Sequence, residues 1–249
     1  MKRLYDLPRH PEFAVHGAIL LVILYVATQI LVNVAMLLAT KLSSVVQGFP
    51  LENAEVIAAT GPLGAVFGLI IAGLLVTRSY FPEKNSAPAM LVAFRQEFVS
   101  GSRWQHIVTG AIGLCFAMVC VSIVQFQLAS DFSRTPTLEK TLGAREVCWI
   151  ISVLVFTPIA EEVLFRGVLY RAMIGKYGEV AFIVVSAALF CAIHLIEISH
   201  NRTAVTAILA FGLLASTARV LVGRLGPCIT LHFAYNTVVV LSVVAETTS

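Results

Sequence analysis

Charged residues are scarce in this chain. They make up 12% of its 249 residues, about half of the ~25% found in an ordinary soluble domain. That shortage excludes a soluble globular protein. The formal net charge is only +3 and is spread among loops, so nothing points to nucleic acid as a partner. No CxxC pair occurs. The five cysteines, Cys115, Cys120, Cys148, Cys191 and Cys228, fall within or at the edge of apolar runs and read as packing residues rather than as disulfides or reactive thiols. Low-complexity tracts, internal repeats and a polar stretch long enough for a soluble domain are missing too, so 1–249 reads as a single integral membrane domain.

What the chain has in quantity is apolar sequence, 58% of all residues. A spanning helix needs ~20 apolar residues, and seven runs qualify: residues 14–40, 54–77, 106–129, 147–170, 180–196, 204–222 and 227–245. Continuous runs of this length favour helices over a barrel, whose strands would alternate every second residue. The expected fold is therefore all-α, a polytopic membrane helix bundle of about seven transmembrane helices. The first run exceeds the 7–15 residues of a signal-peptide core, so it reads as a retained helix. Loops on the N-terminal side hold ten Lys and Arg against five on the other, which places the N-terminus in the cytoplasm.

Against this apolar background, the run 147–170 carries Glu161, Glu162 and Arg166. Each charge inside a bilayer costs ~2.5–3.5 kcal/mol on insertion scales, and such groups mark functional sites by default. Glu162 and Arg166 are four apart, acid before base, and read as an ion pair on one helix face. Glu161 is turned ~100° away and needs partners of its own. Pro158, just upstream, removes a backbone hydrogen bond and opens the helix there. Phe190 and His194 share a face of the fifth run, and His232 and Asn236 share a face of the seventh. A lone histidine in a membrane helix can equally be a packing residue. Two of them, with a free glutamate and an asparagine on three helices, point to one shared polar site.

These three clusters, Glu161-Glu162-x-x-x-Arg166, Phe190-x-x-x-His194 and His232-x-x-x-Asn236, resemble the motifs of the CPBP family of intramembrane proteases. That family includes the type II CAAX prenyl endopeptidases and Abi-like bacterial relatives linked to bacteriocin immunity. All three motifs stand in order, inside spans, over about residues 147–240. The resemblance implies a catalytic set of Glu161, His194, His232 and Asn236, with Glu162, Arg166 and Phe190 in support. Glu161 and His194 would position and deprotonate a water, a general-base role open to glutamate. His232 and Asn236 would donate to the oxyanion, while Glu162 and Arg166 brace the helix.

The resemblance also raises zinc as an alternative cofactor, since Glu161, His194 and His232 could make a two-histidine, one-carboxylate set. The chain lacks HExxH, the strongest local zinc signature, and a carboxylate–histidine mechanism that needs no metal is the favoured reading. Partners would then be the lipid bilayer and a protein or peptide substrate, prenylated and CAAX-type or a leader peptide. A non-catalytic scaffold regulating a sensor kinase or peptide exporter is the competing function, and a transporter ranks last.

The geometry sets one condition. Glu161 and His194 lie at similar depth if the fourth and fifth runs form a hairpin through 175–179, each ~20 Å from its turn at 1.5 Å per residue. His232 stands only a few residues past Gly226-Pro227, so the last helix must begin deep. Elsewhere, Gly61, Gly64, Gly68 and Ala72 form a small-residue packing stripe, and Gln29 and Asn33 are expected to bond to a neighbouring helix. Arg219 is expected to snorkel to the interface, and His10, His16, His106 and His200 to be solvated near loops. The basic segment 78–103 suits a membrane surface.

Overall fold

The computed structural model describes residues 101–128, 147, 150–198 and 201–248, with the isolated positions Ile23, Ala27, Val34 and Leu38. Those four positions, all inside the first predicted run, are helical. The rest of that run, the run 54–77, the glycine stripe beginning at Gly61, the pair Gln29 and Asn33, and the segment 78–100 lie outside the described residues.

Every described element is helical. α1 (Arg103–Leu128) is followed by a long composite rod: a π-helical turn, π1 (Ser152–Phe156), then α2 (Thr157–Glu162), a second π segment, π2 (Val163–Leu169), and α3 (Tyr170–Ile198). Then come α4 (Arg202–Val222) and α5 (Gly226–Thr248). Four stretches are long and apolar enough to cross a membrane: Arg103–Gln125, Ser152–Leu195, Arg202–Val222 and Gly226–Ala245.

The 44-residue stretch Ser152–Leu195 would reach about 66 Å at 1.5 Å per residue, twice a bilayer core. It folds back at Gly178, whose φ of 79° and ψ of −178° only glycine adopts without strain. Ring contacts step symmetrically away from this turn. Tyr170 meets Phe182 at 4.9 Å, and Phe165 meets Phe190 at 5.4 Å. The expected hairpin is therefore present, and Glu161 and His194 share a depth.

The remaining joints are local. Asn201 caps α4, its Oδ1 accepting from the N–H groups of Thr203 and Ala204 at 3.0 Å each, as an N-cap asparagine does. Gly223, with φ 71°, ends α4 in the left-handed conformation and donates to Arg219 O at 3.0 Å. Leu225, Gly226, Pro227 and Cys228 are all buried. The last helix thus starts inside the bundle, with proline in its first turn where the missing N–H is harmless. That deep start brings His232 to the level of the glutamates.

Small residues set two close crossings. A Cβ on Gly113 of α1 would collide with Leu231 O of α5. One on Gly212 of α4 would stand 3.0 Å from Ala187 Cα of α3. Without a hydrophobic driving force between helices in lipid, such contact is what holds them together. The core between them is aromatic and aliphatic, with Phe165, Phe182, Phe190, Phe211 and Leu231 all fully buried.

Candidate active site

α2 presents the two glutamates between the two π segments. π turns are wider than α turns and gather at functional sites. Here the first has a cause in the sequence: it ends at Thr157, whose N–H reaches back to Ser152 O, and the next residue, Pro158, has no N–H to offer.

Glu161 and Glu162 are both buried, as are Arg166 and His232. Glu161 lies between the two histidines. Its Oε1 stands 3.8 Å from His194 Nε2, and its Oε2 stands 3.7 Å from His232 Nε2. Both separations exceed a direct hydrogen bond. Among the described residues, Oε2 of Glu161 meets no hydrogen-bond donor although it is buried, an arrangement that calls for a further species in the site.

The far side of each imidazole is fixed. His194 Nδ1 lies 2.8 Å from Phe190 O. A carbonyl can only accept, so Nδ1 carries a proton and Nε2 is the nitrogen turned toward Glu161. His232 Nδ1 lies 2.9 Å from Glu162 Oε1, a carboxylate–histidine pair that likewise aims Nε2 at Glu161. Glu162 Oε1 also receives Arg166 Nη1 at 3.0 Å, and Arg166 Nη2 donates to Gly212 O at 3.2 Å. The expected Glu162–Arg166 pair is present, and it does more than brace the helix, because its carboxylate orients His232.

Phe190 packs as expected. Its ring lies 4.7 Å from that of His194 and 5.8 Å from that of His232, and the Arg166 guanidinium carbon sits 4.6 Å over its face. Phe211 of α4, which no motif signals, packs 4.8 Å from His232 and 4.4 Å from Tyr235. Asn236 is on the His232 face, but its Nδ2 donates to Val153 O of π1 at 2.8 Å.

Three expectations need correction. Arg219 does not snorkel: it is buried, its Nε donates to Arg166 O at 2.8 Å, and its guanidinium carbon lies 4.3 Å over the Tyr170 ring. The cause is again backbone geometry. Tyr170 N–H, which an α-helix would give to Arg166 O, goes to Gly167 O, and Arg219 serves the carbonyl it leaves. His106 is not simply solvated, since its Nδ1 lies 2.7 Å from Thr230 Oγ1 and joins α1 to α5. Among the cysteines, Cys191 and Cys228 are buried as expected, whereas Cys115 is exposed on α1.

A metal would have to be held by Glu161, His194 and His232. The donor types suit zinc, but the two nitrogens face different oxygens of the carboxylate. Among the described residues no three His, Cys, Asp or Glu side chains converge on one cation position. As placed, the set does not fit a bound cation, and no chemical step is derived through one.

Residues 143–238, which hold every one of these side chains except those of α1, match the family model of type II CAAX prenyl endopeptidase Rce1-like proteins. Over that segment the chain is similar to the CPBP family. No curated protein matches it, and no solved structure does. The Rce1-like segment thus runs from just before π1 to the middle of α5, and it takes in the whole Glu161 cluster.

Proposed function

We propose that this chain is an intramembrane endopeptidase that hydrolyses a peptide bond in a membrane-embedded or membrane-anchored substrate. The observation that carries the proposal is the placing of Glu161 between two Nε2 atoms, each on an imidazole locked from behind. The Rce1-like match favours a prenylated, CAAX-type chain as substrate, and a leader peptide is the other class the family suggests.

In this reading a water lies beside Glu161 Oε1 and His194 Nε2. Glu161 takes its proton as the hydroxide adds to the scissile carbonyl carbon. The new oxyanion faces His232, whose imidazolium form is supported by Glu162 in the way an orienting carboxylate supports a catalytic histidine. When the tetrahedral intermediate collapses, the C–N bond breaks and protonated Glu161 returns the proton to the leaving amine. The products are a carboxylic acid, which passes its proton to the amine or to solvent, and an amine, and Glu161 is regenerated. Burial strengthens each of these electrostatic contacts.

The test is cleavage in liposomes by the purified full chain, with farnesylated and unprenylated peptides ending in a CAAX sequence. A new terminus made by the native protein and not by Glu161→Gln supports proteolysis. Identical termini for both proteins, in liposomes and in cell membranes, would sink it in favour of a scaffold.

A further inference from the structure

Val153 carries a carbonyl that lacks both its α-helical and its π-helical donor. In an α-helix the donor would be the N–H of residue 157, and in a π-helix that of residue 158. Thr157 N–H is committed to Ser152 O. Residue 158 is proline and has no N–H. Backbone carbonyls at membrane depth need a partner within the protein, and this part-buried one is paired from outside: Asn236 of α5 donates its side-chain amide at 2.8 Å.

We infer that Asn236 is a positioning residue, forming with Pro158 and Val153 O a latch that holds the Glu161-bearing rod against the helix that carries His232. The proline opens the carbonyl and the asparagine closes on it. His232 and Glu162 tie the same two helices one turn of α5 away. Two tie points along one crossing fix the rotation of α5 as well as its depth, and both matter to where His232 Nε2 points. One N–H of the amide is thereby committed to Val153 O. The activity readout of this inference rests on the proposed peptidase function; the stability readout does not.

The two roles separate in a double-mutant cycle. Pro158→Ala restores an N–H that reaches Val153 O in π geometry, so the latch becomes dispensable. The full chain is purified as the native protein, Pro158→Ala, Asn236→Ala and the double variant, and Tm and kcat for the CAAX peptide are measured for each. In the native background Asn236→Ala is expected to lower Tm and to cut kcat about tenfold, equivalent to ~1.4 kcal/mol of barrier. In the Pro158→Ala background it should change both far less. Should Asn236→Ala fail to fold, Asn236→Asp, which sets a carboxylate against the carbonyl, takes its place in the same cycle.

Equal losses of kcat in both backgrounds would overturn the inference and put Asn236 on the oxyanion. If the native protein cleaves nothing, the peptidase reading has failed, and Tm alone decides the latch: additive shifts refute it and non-additive shifts support it.

Discussion

A single oxygen, Glu162 Oε1, receives both His232 Nδ1 at 2.9 Å and Arg166 Nη1 at 3.0 Å. The second histidine of the site and the buried arginine therefore hang on one carboxylate atom. Adjacent glutamates divide the contacts: Glu162 holds Arg166 and His232 Nδ1, and Glu161, turned by one residue of helix, faces both Nε2 atoms.

Replacing Glu161 by glutamine keeps the shape and removes the proton acceptor. Cleavage should fall by about 10²–10⁴-fold, the usual scale of general-base catalysis, while Tm stays close to that of the native protein. A Glu161→Gln protein that cleaves at the native rate would remove Glu161 from the mechanism.

Glu162→Gln should behave differently, because it strands Arg166 in a dry interior. Breaking a buried pair from one side costs about 3–5 kcal/mol, measurable as a large loss of Tm in detergent. Glu162→Gln with Arg166→Gln should recover much of that stability. It should not recover activity, since His232 would still lack its orienting carboxylate. Recovery of both would mean that Glu162 only braces the helix.

The crossing of α1 and α5 gives a prediction far from the polar cluster. Gly113 sits against Leu231 O, next to His232, so Gly113→Ala must push the helices apart. Overpacking of this kind costs about 1–3 kcal/mol, and activity should fall with it. Gly110→Ala is the control: its Cβ would come no closer than 3.4 Å to Thr230 Cγ2 and should be tolerated. Equal tolerance at both positions would show that the crossing does not set His232.

Chelation bears on the donor arrangement. With His194 and His232 addressing different oxygens of Glu161, cleavage should persist after incubation with a strong zinc chelator. Activity lost in chelator and restored by added zinc would mean that the three donors close around a cation in the working enzyme.

The helical architecture was legible because lipid imposes length and apolarity on each span, and the turn at Gly178 and the break at Gly226-Pro227 announce themselves. The three four-residue spacings were legible because 3.6 residues per turn puts i and i+4 on one face. What the sequence hid was the consequence of irregular backbone. The carbonyls of Val153 and Arg166 lose their usual donors inside the rod, and nothing in the linear order says that Asn236 and Arg219 serve them. Phe211 was hidden for another reason: an aromatic among aliphatics carries no sign of which helix it will touch.

The buried charged side chains among the described residues are Glu161, Glu162, Arg166 and Arg219, two of each sign. Neither histidine gains or loses a proton in the proposed reaction. In the proposed reaction the proton that neutralises Glu161 appears as the oxyanion gains its charge, so the balance persists through the tetrahedral intermediate. A transmembrane voltage works only on charge displaced along it, ~2.3 kcal/mol per elementary charge for each 100 mV crossed in full. Here charge passes between neighbouring atoms of one cluster. Turnover should thus run at the same rate in an energised membrane and in a depolarised one.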